Sequence, residues 1–180
     1  MTRECIICGR DIHSKRVDAK FCSGRCRVSH HRTVSRAETL PAELVTVPRW
    51  VRHDARKRPL VASSGRLASS TDAATWATYA EAKKSPHGVG LGFVLSAEDD
   101  IACIDIDDCV ADGGVSPTAL EVARATPDVF MVEVSRSGEG IHIWHHAPNA
   151  AGTNRDEGGL RVERYTQARY IAVTGKRIKI

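Results

Sequence analysis

From residue 89 onward apolar and polar residues alternate in short runs: VGLGFVL (89–95), IACIDID (101–107), FMVEV (130–134), IHIWHH (141–146), LRVERY (160–165) and RYIAVTG (169–175). Alternation at period two, in runs rich in β-branched and aromatic residues, predicts six strands. Two helices interrupt them. Thr71 or Asp72 is placed to cap one in which Trp76, Tyr79, Ala80 and Lys83 share a face, and Ser116 followed by Pro117 marks the start of the other. The plan is α+β.

Successive strand residues point to opposite sides of a sheet, so three of these runs sort into unlike faces. Ile104 and Ile106 separate from Cys103, Asp105 and Asp107; Ile141 and Ile143 separate from His142 and Trp144; Leu160 and Val162 separate from Arg161, Glu163 and Tyr165. One face is aliphatic and suited to cover by the two helices. The other carries carboxylates, a histidine and aromatics, the composition of a site. SRSGEG joins FMVEV to IHIWHH as a hairpin, its glycines supplying tight-turn angles, and HAPNAAGTNRDEGG reads as a polar loop.

Ahead of this region the pattern changes. Residues 1–36 are short on apolar positions, and TVSRAETLPAELVTVPRW follows with two prolines and no long period. The division predicted is a small module at 1–36, a linker at 37–47 and a main domain at 48–180.

Composition changes the picture in three ways. The chain has 180 residues, 42% hydrophobic and 27% charged, enough for one core plus an appendage. No apolar run is long enough to span a bilayer and the N-terminus leads straight into polar residues, so a cytoplasmic protein is expected, which in a reducing compartment turns its six cysteines from disulfide partners into candidate metal ligands. The net charge of +4 is uneven: residues 1–36 hold nine Lys/Arg against three Asp/Glu, and the remainder seventeen against nineteen. The basic character belongs to the small module and points to a polyanionic partner.

Cys5-x2-Cys8 and Cys22-x3-Cys26 present four thiolates at spacings suited to one tetrahedral Zn²⁺, with Gly9 at the turn that aims backbone amides at sulfur. The segment has too few apolar residues to fold unaided, so the ion is expected to hold it together. Lys20, Arg25, Arg27 and Arg32 surround the cysteines and favour contact with DNA; His30 and His31 lie close by, and Cys103 and Cys109 read as packing residues.

Asp105 and Asp107, two apart on one strand face, repel each other unless a cation neutralises them. Hard ions such as Mg²⁺ or Mn²⁺ suit these oxygens, and a pair of them can activate a hydroxyl and stabilise a departing pyrophosphate. Glu163 supplies a third carboxylate from another strand, and His142 faces the same acidic set, placed to donate to a phosphate. Asp107 with Asp108 also suits a plain strand end. The carboxylates interrupt an otherwise buried apolar run, however, and carboxylates are rarely buried without a partner or a metal.

The runs IDIDDC, SRSGEGIHIW and VERYTQARYIAVTG resemble, in order and spacing, the three motifs of the archaeo-eukaryotic primases, especially the bifunctional primase-polymerases of phages and plasmids. PRWVRHDARKRPLVASSGRLASSTDAATWATYAEA is similar to the opening of that domain, so the resemblance covers about residues 40–175. It implies an RRM-like primase-polymerase core, a mostly antiparallel sheet with helices on one face. It implies catalytic metal, Mg²⁺ or Mn²⁺, on Asp105 and Asp107 with Glu163 completing the site, and His142 on the incoming triphosphate. By placement Ser137, Arg169 and Lys57 become phosphate or sugar contacts. The implied partners are a single-stranded DNA template, nucleoside triphosphates and a replicative helicase, in a phage or other mobile element within a bacterial host cytoplasm. Motif I reads Ile-Asp-Ile-Asp where an apolar-Asp-Leu-Asp is commoner, and many relatives continue well past motif III.

Two other readings stay open. A rolling-circle replication nickase also uses strand histidines and a tyrosine nucleophile, Tyr165 or Tyr170 here, but needs two histidines flanking one residue, whereas His142 and His145 fall on opposite faces. A zinc-containing DNA-binding accessory without catalysis would keep the module and lose the chemistry.

Overall fold

A computed structural model describes residues 3–5, 8–28, 40–111 and 114–180. The chain divides into two compact units, Met1–Thr39 and Leu40–Ile180.

In the first unit Cys5 and Ile12 are buried, a small interior for so many charged neighbours. A bridge between Glu4 and Asp11 closes a loop around Cys8, and Gly9, at φ +67°, donates its N–H to the Cys5 carbonyl. A helical stretch over 24–28 follows, where Ser23 Oγ accepts from the Cys26 N–H. His30, His31 and Arg32 lie outside the described residues.

The second unit begins with helix α1 (Ala42–Val45), inside the stretch expected to be linker. Leu44 has no exposed surface, and its carbonyl accepts from Trp50 Nε1 at 2.9 Å. Residues 40–47 therefore pack into this unit. Strands β1 (Trp50–His53), β2 (Pro59–Leu60), β3 (Gly90–Leu95) and β11 (Arg169–Val173) form one antiparallel sheet in the order β11-β3-β1-β2. A second antiparallel sheet has the order β7-β8-β4-β10-β9, from β4 (Ile101–Ile106), β7 (Val129–Val134), β8 (Ile141–His146), β9 (Thr153–Glu157) and β10 (Leu160–Tyr165). β5 (Val110–Ala111) and β6 (Gly114–Val115) make a short ribbon. The expected α+β plan is present, with its strands shared between two sheets where the sequence suggests one.

Both faces of the five-stranded sheet are covered, each by different chemistry. On one side Ile104, Ile106, Ile141, Ile143 and Val162 pack against Ala119 and Ala123 of α3 (Pro117–Ala125), whose small residues let the helix sit close. Ser116 caps α3, accepting from the Ala119 N–H, with Pro117 at its first turn. On the other side Cys103, Met131 and Trp144 join Trp50, Phe93 and Ile171 of the four-stranded sheet. A row of rings runs through this layer: Tyr79 to Trp50 (4.9 Å between centroids), Trp50 to Phe93 (5.3 Å), Phe93 to Trp144 (5.9 Å) and Trp144 to His142 (6.5 Å). The edge-to-face pairs Trp50–Phe93 and Phe93–Trp144 add about 0.5–1.5 kcal/mol each beyond area burial.

Three expectations need correction here. The helix predicted after Thr71 or Asp72 is split: Asp72 caps a 3₁₀ turn (Ala73–Thr75), and Thr78 opens α2 (Tyr79–Lys84) in a reciprocal capping box with Glu81. The break falls where Ala77 bridges Trp50 through two backbone hydrogen bonds (2.9 and 2.8 Å), so that Tyr79 and Ala82 face Trp50 rather than the aliphatic side of the five-stranded sheet. α3 alone of the two predicted helices covers that side. The presumed loop after IHIWHH contains β9, a polar edge strand paired with β10. No helix among the described residues is long and apolar enough to cross a membrane.

Candidate active site and metal centre

Strand register draws one polar line across the five-stranded sheet. Glu133 of β7 stands opposite His142 of β8, His142 opposite Asp105 of β4, Asp105 opposite Glu163 of β10, and Glu163 opposite Asn154 of β9. Neighbouring positions on this face belong to the core, so the line is where packing gives way to chemistry.

At its centre His142 Nε2 lies 3.6 Å from Asp105 Oδ1. That oxygen is buried and accepts no hydrogen bond. Burial is the main cause that pushes the Asp105 carboxyl above its ordinary range; the Asp107 and Glu163 charges add to it, and His142 and Lys57 oppose it. A buried carboxylate oxygen without a donor is what a cation would satisfy. Asp107 follows directly after β4, where its N–H donates to the Arg161 carbonyl at 3.3 Å. Gly140 makes this corner possible: a Cβ there would come within 2.4 Å of the Ile106 carbonyl oxygen, so only glycine lets the β7–β8 turn lie against the backbone that leads into Asp107.

Glu163 is in a different state. Its Oε1 accepts from Arg161 Nη2 (2.6 Å) and Asn154 Nδ2 (2.9 Å), and its Oε2 accepts from the Tyr165 hydroxyl (2.6 Å) with Arg169 Nη2 3.8 Å away. The Tyr165 hydrogen bond, with help from Arg161 and Arg169, holds this carboxyl below its usual range. Among the described residues, the group of three or more potential ligands whose atoms lie within 4.8 Å of one another is the cysteine set, and Asp105, Asp107 and Glu163 do not converge that closely.

A cleft of about 420 Å³ opens in front of the aspartates. Asp105, Asp107, His142, Lys57 and Arg169, all singled out from the sequence, line it. Lys57 is delivered by a tight turn. The Asp54 carboxylate accepts from the Arg56 and Arg58 backbone N–H groups, Lys57 adopts φ +61°, and the Tyr170 hydroxyl donates to the Lys57 carbonyl. Arg169 lies over the Tyr165 ring, 4.7 Å from its centroid. Ser137 is not among the lining residues: its hydroxyl pairs with Ser135 Oγ at 3.0 Å and accepts from the Glu139 N–H, so it shapes the turn, and Ser135 lines the cleft instead. Sequence reasoning also missed Arg136, Ser70 and Glu133. Arg136 sits in the same glycine turn that singled out Ser137, and Glu133 breaks an apolar strand just as Asp105 does, so the rule that found one would have found the other.

In the first unit the structure brings all four predicted cysteines together. Sγ separations are 3.5 Å for Cys8–Cys22, 3.5 Å for Cys22–Cys26 and 3.8 Å for Cys8–Cys26. Four sulfurs about 2.3 Å from a tetrahedral Zn²⁺ lie about 3.8 Å apart, so the set fits that ion. The Arg10 backbone N–H at Cys8 favours its thiolate, yet hydrogen bonding with the Cys22, Cys5 and Cys26 thiols and some burial push the thiol up to about 11; a coordinated cation would favour the thiolate instead. Lys20 and Arg27 line a shallow basic depression of about 500 Å³ with Lys15 and Arg16; Arg25 is exposed outside it.

No protein-family model matches the chain. It is similar to the DNA primase-polymerase of Nitratiruptor phage NrS-1, with 30% identity over 135 residues, a match that takes in 71% of this chain and 18% of that protein. The chain thus spans less than a fifth of the length of the curated relative it matches.

Proposed function

We propose that residues 40–180 carry a metal-dependent nucleotidyl-transfer centre that extends a DNA strand on a single-stranded template, as part of a primase-polymerase of a phage or other mobile element. The observation that carries this reading is the cleft's charge layout: a buried, donorless Asp105 oxygen beside Asp107 on the floor, and Lys57, Arg136 and Arg169 around it. An acidic floor takes divalent cations and a basic rim takes a triphosphate. Similarity to the phage primase-polymerase supports the same reading.

In this site Asp105 and Asp107 hold Mg²⁺ or Mn²⁺, with Glu163 joining once Arg161 and Tyr165 release it. The ions lower the cost of ionising a 3′-hydroxyl and of expelling pyrophosphate. His142 addresses the triphosphate through Nε2, and Lys57, Arg169 and Arg136 neutralise its charge. Zn²⁺ on Cys5, Cys8, Cys22 and Cys26 holds the first unit, whose Lys20, Arg25, Arg27 and Arg32 engage template phosphates. A replicative helicase remains a proposed partner.

The test is Mg²⁺- or Mn²⁺-dependent incorporation of labelled nucleotide on a primed single strand. The parent chain should extend the primer, and Asp105→Ala and Asp107→Ala should each reduce extension at least a thousandfold, to background, about 4 kcal/mol of barrier. Normal extension by both variants would reject the assignment. The engagement of Glu163 by Arg161, Asn154 and Tyr165 favours one alternative, a DNA-binding replication accessory without catalysis. A parent chain that binds DNA but incorporates nothing with either metal would select it.

A further inference from the structure

β7 carries an ionisable side chain that this chemistry leaves unused. Glu133 has no exposed surface, and burying a carboxylate is costly unless donors meet its oxygens. Here the donors come from both sheets. Oε1 accepts from Trp144 Nε1 at 3.1 Å and faces His142 Nδ1 at 3.1 Å. Oε2 accepts from the backbone N–H groups of Thr174 (3.0 Å) and Gly175 (2.7 Å), just past the end of β11. An indole N–H and two backbone N–H groups can only donate, so both carboxylate oxygens act as acceptors, and Nδ1 complements Oε1 only as a donor. Nδ1 is thus the nitrogen committed to Glu133, and Nε2 is the nitrogen turned toward Asp105 and the cleft.

We propose that Glu133 is the positioning residue of the nucleotide site: it fixes the ring plane of His142 by holding Nδ1–H, so that Nε2 faces the cleft and, when it too carries a proton, donates to an incoming phosphate. The inference rests on the reading of His142 as a triphosphate contact. It also explains why a carboxylate is spent here. The same group grips the backbone that ends β11, the strand bearing Arg169 and Tyr170, so His142 on one cleft wall is registered against the cations on the other. An orienting carboxylate behind a histidine commonly matters as much as the histidine it holds.

Glu133→Gln keeps the shape but turns one acceptor into a donor. Two measurements on the full chain test the role. In the first, ATP and dATP affinities are titrated for the parent, Glu133→Gln, His142→Ala and the double variant, with thermal melting of all four. Glu133→Gln should weaken binding about tenfold or more when His142 is present, the scale of one charge-assisted hydrogen bond, and add nothing when His142 is already alanine. Its cost in melting temperature should persist in both backgrounds. Equal weakening in both backgrounds would mean that Glu133 serves only the packing of Trp144 and Thr174, and would overturn the proposal. In the second, ¹⁵N spectra of histidine-labelled protein without nucleotide should show His142 protonated at Nδ1 in the parent and altered in Glu133→Gln. An unchanged His142 signal would also overturn it. If the parent binds neither nucleotide, the nucleotide reading fails and the spectra still decide the positioning role. Should Glu133→Gln not fold, Glu133→Asp, which withdraws the carboxylate by one methylene, takes its place in both measurements.

Discussion

Asp105 and His142 are direct partners across the β4–β8 ladder, yet Nε2 stands 3.6 Å from Oδ1 and no hydrogen bond joins them. The sheet holds the pair near contact without a hydrogen bond between them, which leaves the Asp105 oxygen free to take an ion beside the ring.

If burying that aspartate oxygen without a donor is costly, neutralising the carboxylate should help the metal-free protein. Asp105→Asn should melt no lower than the parent in EDTA, rising by about 2–4 °C for each kcal/mol recovered. Added Mn²⁺ should raise the melting temperature of the parent and leave the variant where it is. A variant that melts well below the parent in EDTA would show that the carboxylate has a structural partner.

The four thiols make a separate prediction about stoichiometry. The purified chain should carry one zinc, Co²⁺ should replace it with the absorption of tetrahedral thiolate coordination, and Cys8→Ser should weaken that binding. Chelation should unfold residues 1–39 while the melting of residues 40–180, with its own core, stays put. Loss of both transitions together would contradict this independence.

Lys20 and Arg27 border one basic depression and should act additively on DNA. Each changed to alanine should weaken single-strand binding and flatten the plot of log affinity against log salt by about 0.7 per lost phosphate contact. Primer extension at saturating DNA should be spared. Unchanged salt slopes with a lost protein partner would assign the surface to protein instead.

Acid should destabilise the second unit through two histidines. His53 and His145 are buried, and burial is the main cause that lowers both below their ordinary range. Above about pH 6.5 each is neutral whether folded or not, and contributes no pH dependence. Below it the unfolded chain takes up protons that the folded chain refuses, so stability falls with pH until the depressed folded values are passed. His145→Leu should flatten part of this limb in urea titrations between pH 7 and 4. An unchanged limb would place its origin in other groups.

The six apolar strand runs were legible because each buries at least one side of its pleat, and the face assignment of Asp105, His142 and Glu163 followed from the same period. β9 was not legible: Thr153–Glu157 contains no apolar residue, and it is a strand only because the β10 backbone pairs with it. The split between the 3₁₀ turn and α2 escaped for a related reason. A bridge from Ala77 to Trp50 is a contact across the fold, invisible to helical spacing. Arg136, Ser70 and Tyr170 lie on three separate segments, and only the facing of the two sheets makes them neighbours of Asp105. The tying-up of Glu163 likewise depends on Arg161 and Tyr165 sharing its strand face and on Asn154 arriving from the unforeseen β9.

The position of β11 bears on how the protein is made. It pairs with β3 across some seventy intervening residues and contributes Arg169, Tyr170 and Ala172 to the cleft. A ribosome must therefore deliver everything through Val173 before that wall exists, and until then β3 keeps an open edge and the core lacks Ile171 and Val173. Pairings of such long sequence separation form slowly and leave exposed strands on the way. The nascent chain cannot assemble this cleft early: Asp105 and Asp107 emerge long before the β11 wall that carries Arg169.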